Sequence, residues 1–302
     1  MDADRTALPA AVNTVATPFI VGSFLARYPA NTRNIYRSHL KQWFAWCEDH
    51  GLDPMVVQRG HIEAWARHLG EERGLKASTV AAKLNCICGM YRFAYLDGHL
   101  AMDPAAHVRR PKVQFVSSTN GVSRSQLANV LKYAEAEGPT TYAFMCLIAL
   151  NGLRIGECLA TDIDHLGYER GYRTLFLPHR KGGKVATLSL AVRTSYAVEQ
   201  ATRGRDTGPL LLGRDGTRMK VAAARRTVRR LCRKAGISKR ISPHSFRHSF
   251  VTLALDAGVP ERDIMASTGH STPTMIAYYD RNRGSIERNA THAVAAFIGV
   301  AG

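Results

Sequence analysis

The sequence predicts a mainly α protein of two domains: an all-helical amino-terminal domain, then a mostly helical domain containing a small antiparallel β-sheet. Three observations carry this. The 302 residues exceed the usual length of one domain. Apolar residues recur at helical spacing through both halves. Two short runs of strand type flank a glycine-rich basic turn in the second half.

Residues 1–17 show no periodicity and are expected to form a flexible arm. From Asn31 onward Tyr36, Leu40, Trp43 and Cys47 repeat at helical spacing, and Gly51 is placed to stop that helix. A second helix is expected over His61–Leu69. A third opens at Ser78, a good N-cap residue, and carries Val80, Leu84, Ile87, Tyr91 and Tyr95 up to Asp97-Gly98. Together these give a helical domain over 18–104. Residues 105–121, with Pro111 among Arg109, Arg110 and Lys112 and a small polar run to Gly121, read as a linker. Its basic cluster suits a polyanion backbone or an ordinary charged loop equally well.

The second domain is expected over 122–302. Ser123 followed by Gln126 is a capping-box pattern. Tyr142–Leu150 reads as a strongly apolar helix that breaks at Asn151-Gly152, so Arg154 begins a new helix near an exposed turn. Thr174–Pro178 and Val185–Leu190 read as strands joined by Arg180-Lys181-Gly182-Gly183-Lys184. A further helix over Arg218–Lys234 holds Arg218, Lys220, Arg225, Arg226, Arg229, Arg230, Arg233 and Lys234 with no acidic residue.

The net charge of +17 is unevenly spread: residues 1–121 hold 14 Lys+Arg against 10 Asp+Glu, and the rest hold 27 against 14. A field of that sign and lopsidedness points to nucleic acid. The Arg218–Lys234 helix suits a DNA groove, so Arg225, Arg226, Arg229 and Arg230 are expected DNA contacts, with Arg109, Arg110, Lys112 and Lys184. No apolar run approaches the roughly 20 residues of a spanning helix, and the acidic start Met1-Asp2-Ala3-Asp4 lacks the basic region of a secretory signal. No membrane partner is expected, and the location expected is cytoplasmic, with the nucleoid. The six cysteines fall mostly in helical patterns and read as small core residues in a reducing compartment. Cys86-Ile87-Cys88 has the wrong spacing for a zinc knuckle, so no structural metal is expected.

Two arginines, two histidines and a tyrosine suit the attack of a phosphodiester without a metal. The anionic oxygens of the diester repel a nucleophile and its alkoxide leaves badly, so fixed positive charge and a proton donor are required. Arg154 and Arg247 suit a clamp, because a guanidinium fork stays charged and grips two oxygens. Either arginine alone also suits a surface ion pair, and Arg154 taken in isolation reads better as one. His244 follows Pro243 and shares a first helical turn with Arg247, while His270 follows Gly269, which permits close backbone approach. Each histidine alone suits a core or capping role. His244 and His248 lie four apart, but Ser245 stands where a zincin needs glutamate, so no metal site is read here. Tyr278-Tyr279 offers a phenol, whose reference pKa of about 10 needs nearby cations to favour the phenolate.

The order Leu153-Arg154-Ile155-Gly156-Glu157, His244-x-x-Arg247, Gly269-His270 and a tyrosine nine residues later resembles the tyrosine recombinase, or phage integrase, family. The resemblance is firm from Ser123 to Asp280 and looser before it. It implies a SAM-like core-binding domain followed by a catalytic domain of the DNA breaking-rejoining fold. It implies that Arg154 and Arg247 hold the scissile phosphate, that His244 and His270 contact it and assist proton movement, and that Tyr279 is the nucleophile. Tyr278 is the rival and would otherwise pack or touch DNA. Lys181 matches the lysine that protonates the departing 5′ oxygen, with Lys184 as the fallback. Glu157 is expected to orient the arginines or to act on the helix N-terminus.

A 3′-phosphotyrosyl link keeps the diester energy, so neither metal, ATP nor any other cofactor is expected. The implied partners are double-stranded DNA, a homo-tetramer on two sites formed from a monomer or weak oligomer, and an accessory directionality or DNA-bending protein. The tail from Ile286 to Val300 is expected to dock on a neighbouring subunit or on its own domain. The reading is an integrase-type site-specific recombinase of a mobile element. About thirty residues before the first clear helix are too few for the arm-site domain of lambda-like integrases, which favours a two-domain layout. The rivals are a Xer-like chromosome or plasmid dimer resolvase, a type IB topoisomerase, and a DNA-binding protein without catalysis.

Overall fold

A computed structural model describes residues 13–113, 121–178, 180, 183, 185–280, 291, 294, 298 and 299, with side chains excepted at 13–16 and 277–280. The chain divides into two units, Met1–Gln114 and Phe115–Gly302. Among the described residues no helix is long and apolar enough to cross a membrane.

The amino-terminal unit contains α1 (Asn13–Ala26), α2 (Ala30–Asp49), α3 (Arg59–Arg67) and α4 (Ala77–Leu96), with a wider π-type turn at His68–Glu72 extending α3. Phe24, Leu40, Trp43, Ile62, Trp65, Leu84, Ile87 and Tyr91 are fully buried at its centre, each worth about 1.5–3 kcal/mol of hydrophobic stabilisation. Trp43 stacks on Trp46 with ring centroids 5.5 Å apart and meets the edge of Trp65 at 5.2 Å. Its indole N–H donates to the Tyr91 hydroxyl at 2.8 Å, which donates to the Pro54 carbonyl at 2.7 Å, so both buried polar groups are satisfied. Gly51 at φ +64° and Gly98 at φ +75° end α2 and α4, where the sequence predicts stops.

Helix α1 is a departure. It includes residues 13–17 of the expected arm and precedes the first predicted helix. Its polar residues Asn13, Thr14, Thr17 and Ser23 do not gather on one face and it contains Pro18, so no polar face reveals the period; Ile20 and Phe24, one turn apart, supply the buried face. Ser78 does not cap α4. The helix already begins at Ala77, after Lys76, which places Ser78 within the first turn. Ala105 and Val108 also pack into this core, beyond Pro104.

The second unit contains α5 (Arg124–Glu137), α6 (Pro139–Ala149), α7 (Ile155–Leu159), a 3-10 turn at Ile163–His165, β1 (Leu166–Glu169), β2 (Tyr172–Leu177), β3 (Ala186–Ser189), α8 (Val192–Thr202), α9 (Val221–Lys234), α10 (Pro243–Asp256), α11 (Glu261–Thr268) and α12 (Pro273–Asp280). Ser123 accepts from the Gln126 N–H at 3.2 Å and the Gln126 side chain accepts from the Ser123 N–H at 3.1 Å, closing the predicted capping box at α5. Helix α6 is buried along its length from Tyr142 and packs against α5, α8 and α10.

The sheet is antiparallel in the order β1-β2-β3, with Leu166 opposite Leu175 and Thr174 opposite Ser189. The sequence predicts β2 and β3 but not β1. That strand is only four residues long, and its two-residue turn needs positive φ at both Arg170 (50°) and Gly171 (82°), a conformation an arginine does not advertise. All six cysteines are buried and unpaired. Burial pushes the Cys47 and Cys86 thiols up to about 12, so they stay protonated and serve as small apolar groups.

Helix α9 begins at Val221, not Arg218. Arg218 instead pairs with Asp162 at 2.5 Å and donates to the Leu159 and Thr161 carbonyls, each at 3.1 Å. Ala224, Val228, Leu231 and Cys232 form its buried stripe, and Arg225, Arg226 and Arg229 are exposed. Arg230, expected from the sequence among the DNA contacts, forks onto Glu137 of α5 at 3.1 and 2.5 Å, and Lys234 joins the same carboxylate at 2.7 Å. A carboxylate on the neighbouring helix, invisible from α9's own sequence, thus engages part of its basic run.

The Arg230 fork, with Lys234 beside it and against the opposing effect of burial, pulls the Glu137 carboxyl from 4.5 down to about 2. A depressed carboxyl contributes stability that is present above its unfolded value and lost as pH falls through the folded one. Glu137→Gln is therefore expected to cost about 1–2 kcal/mol at neutral pH, after discounting for the exposure of Arg230. Denaturant unfolding measured at several pH values should show that cost shrinking as pH falls from about 4.5 towards about 2.

Candidate active site

The site is organised by the carboxy-terminal end of α11. Gly269 takes the left-handed conformation there (φ 67°, ψ 40°) and ends the helix. The last carbonyls of a helix lack intrahelical donors and carry partial negative charge. Four consecutive carbonyls here accept from three arginines on three other segments. Arg180, between β2 and β3, donates to Ser267 at 3.0 Å and to Ala266 at 3.5 Å. Arg247 of α10 donates to Thr268 at 2.6 Å, and Arg154, the N-cap of α7, donates to Gly269 at 3.3 Å.

Arg247 is only 1% exposed. Its Nη1 donates to the Gly152 carbonyl at 2.8 Å, and its Nη2 lies 3.1 Å from His270 Nε2. A guanidinium can only donate, so Nε2 accepts and the imidazole proton sits on Nδ1. That proton points to Thr268 Oγ1 at 2.8 Å, whose own hydroxyl donates to the Ile264 carbonyl at 2.5 Å. Burial first, then Arg247 and Arg154, push the His270 pKa down to about 4, so the ring is neutral at physiological pH.

His244 occupies the second position of α10, behind Pro243 at the first, and Ser242 opens the helix with its N–H on Ser245 Oγ at 3.1 Å. His244 is exposed as a residue, yet the surrounding protein partly desolvates its imidazole and lowers its pKa, and Arg247 and then Arg154 add to the lowering. His248, one turn on, is buried, and its pKa is lowered by burial and then by His244.

Glu157 does both things the sequence leaves open. One carboxylate oxygen accepts from Arg154 Nη1 at 2.7 Å, and the other caps α7 by accepting the Arg154 backbone N–H at 3.0 Å. The first oxygen also lies 3.6 Å from Arg180 Nε.

The fold therefore gathers Arg154, Glu157, His244, Arg247 and His270. Lys181 and Lys184 lie outside the described residues. Tyr278 and Tyr279 belong to α12, and their side chains lie outside the description. Arg109, Arg110 and Lys112 are exposed in the first unit, with Arg110 bonded to the Asn85 side chain. The sequence does not single out Arg180, which reads there only as part of a glycine-rich basic turn. The one available signal was Gly269: a Cβ there would stand 2.7 Å from Arg180 Cζ, so the close approach this glycine permits is by that arginine.

A family model described as the phage integrase family matches residues 122–285, more than half of the chain. The chain belongs to the phage integrase family. The family's N-terminal SAM-like domain matches residues 25–98. The chain is similar to tyrosine recombinase XerD of Chlorobaculum tepidum, 28% identical over 262 residues that cover 81% of this chain and 84% of the relative. In fold it is similar to a lambda integrase dimer bound to a COC′ core site, with a TM-score of 0.69 at 17% identity over 87% of this chain and 96% of that one. It is likewise similar to the Tn1549 transposon integrase in complex with circular intermediate DNA, with a TM-score of 0.66 at 19% identity over 86% and 94% of the two chains. The phage integrase family consists of enzymes that break and rejoin DNA, and the mostly helical fold with its three-stranded antiparallel sheet is that of the tyrosine recombinases.

Proposed function

We propose that this tyrosine recombinase is a site-specific recombinase acting on duplex DNA, with Tyr279 as nucleophile, and that it serves the integration of a mobile element. The observation carrying the proposal is the convergence of Arg154, Arg247 and His270 on one helix end, with His244 in the adjoining turn. Arg154 and Arg247 exchange carbonyl partners for the non-bridging oxygens of the scissile phosphate and neutralise charge as it builds. His270 enters as a neutral imidazole, and His244 adds a second contact. The Tyr279 oxygen forms a bond to phosphorus, its proton leaves to a neighbouring base, the bond to the 5′ oxygen breaks, and Lys181 protonates that oxygen. Rejoining is the reverse with a new 5′ hydroxyl, so bond energy is conserved and no cofactor is consumed.

In this reading two duplex sites are held by four copies of the chain, an accessory protein sets direction, and Arg225, Arg226 and Arg229 lie along the DNA, with Arg109, Arg110, Lys112 and Lys184. A Xer-like dimer resolvase is the second reading, favoured by the XerD relative, which matches this chain over most of both lengths. Recombination between two sites on one plasmid, weighed against joining of two separate DNAs, discriminates the two.

The test of the chemistry is incubation with nicked candidate sites, followed by mapping of the residue left on DNA. Tyr279→Phe is expected to abolish the covalent adduct and to leave DNA binding intact. An undiminished adduct would transfer the nucleophile's role to Tyr278.

A further inference from the structure

Arg154 and Arg247 occupy the family's motifs; Arg180 belongs to none that the sequence offers, yet it is built into the same helix end. Arg180 is 8% exposed, and it and Arg247 are the two buried arginines among the described residues. A buried guanidinium is costly unless its donors are met. Nη2 and Nη1 meet the Ser267 and Ala266 carbonyls, while Nε finds only the Glu157 carboxylate, 3.6 Å away and too far for a hydrogen bond. The guanidinium also fills the space over Gly269 that any Cβ would occupy.

This places Arg180 between the two supports of Arg154. One is Glu157, which holds Arg154 Nη1; the other is the turn at Gly269, whose carbonyl holds Arg154 Nη2 and whose next residue is His270. Glu157 Oε1 faces both arginines, at 2.7 Å from Arg154 and 3.6 Å from Arg180. When Arg154 turns to a phosphate, a carboxylate only 6% exposed loses its nearest cation. Arg180 Nε, with its donor unfilled, is the group in place to receive it.

We propose that Arg180 is a positioning residue for strand cleavage: it ties Glu157 to the end of α11, and takes up the Glu157 carboxylate when Arg154 engages the scissile phosphate. This rests on the reading of Arg154, Arg247 and His270 as the phosphate site. Arg180 also contributes, as the smallest of several cations, to the low pKa of His270.

The test combines single-turnover adduct formation on a nicked duplex, duplex affinity, and NMR titration of His270 in the DNA-free protein. Arg180→Met is expected to slow cleavage roughly thirtyfold or more, in keeping with the cost of a displaced catalytic group, with affinity changed by less than about threefold. The His270 titration should move up from about 4. Adding Glu157→Gln, which removes the charge that needs a partner, should slow Arg180→Met little further. A wild-type rate together with an unchanged His270 titration overturns the proposal, as does a fall in thermal stability with no change in rate per folded molecule. Should Arg180→Met not fold, Arg180→Lys decides: it keeps the charge but cannot span carbonyls and carboxylate, so about tenfold slower cleavage at equal affinity supports the proposal, and a wild-type rate refutes it. If the wild type forms no adduct on any duplex while the His270 titration still responds to Arg180→Met, the recombinase reading of the site fails and the placing of Arg180 stands.

Discussion

Arg247→Ala is expected to abolish strand cleavage and to remove about 3 kcal/mol or more of folding stability, since each buried group that loses its partner costs about 1–3 kcal/mol. The side chain is 1% exposed, and its loss withdraws donors from the Gly152 carbonyl, the Thr268 carbonyl and His270 Nε2 together. That is a large share of the roughly 5–15 kcal/mol by which a domain is stable. Two carbonyls that belong to different segments would then face each other across a cavity with no cation between them. Cleavage should fall by about 10³ or more, the order expected when a principal charge stabiliser is deleted. Arg247→Lys separates the two effects. A lysine keeps a positive charge but not the fork, so it should recover part of the stability while cleavage stays at least about 10² below wild type. Thermal unfolding and single-turnover adduct formation measure both. Wild-type cleavage by Arg247→Lys would mean that charge alone, not two-point geometry, is what the site uses.

The second large effect is expected at a residue with no side chain, at Gly152→Ala. Gly152 sits at φ +62°, which costs an alanine about 1 kcal/mol or more, and the added Cβ would stand 2.5 Å from Phe250 Cδ1. Phe250 packs beside Val251 and Ile264 in the small core near the site, and its Cγ would also lie 2.9 Å from the added Cβ, so a flip of the ring alone does not relieve the contact. The backbone at Gly152 must therefore shift, and its carbonyl is one of the anchors of Arg247. A total loss of about 2–4 kcal/mol is expected, in the range seen for overpacking combined with backbone strain, together with a cleavage defect disproportionate to the unfolded fraction. Phe250→Ala in the same chain removes the clash but not the positive φ, so it should restore cleavage per folded molecule better than it restores stability. If the double variant cleaves no better than Gly152→Ala, the ring contact is not what misplaces Arg247.

Much of the site is legible in the sequence because it is written in local geometry. Pro243 at a helix start puts His244 and Arg247 on one turn, and Gly269 before His270 marks a place of close approach to the backbone. Ser123 and Gln126 announce α5 in the same way. What the sequence could not convey is long-range pairing. Arg180 looks like any residue of a basic run, and only the carbonyls of Ala266 and Ser267, 86 and 87 residues away, set it apart. Arg230 looks like its neighbours on α9 until Glu137, 93 residues earlier, engages it. Helix α1 is hidden for a different reason: its few polar residues, Asn13, Thr14, Thr17 and Ser23, do not gather on one face, so no period shows.

In the proposed function the end of α11 holds a set of arginines in readiness for a phosphodiester. The structure of Tyr279→Phe bound to an intact duplex carrying its site tests this directly. The expected result is a scissile phosphate between Arg154 and Arg247, both turned from their α11 carbonyls, with His270 and His244 in contact and Glu157 drawn to Arg180. A phosphate seated elsewhere, with all three arginines still bonded to the carbonyls of residues 266–269, would contradict it.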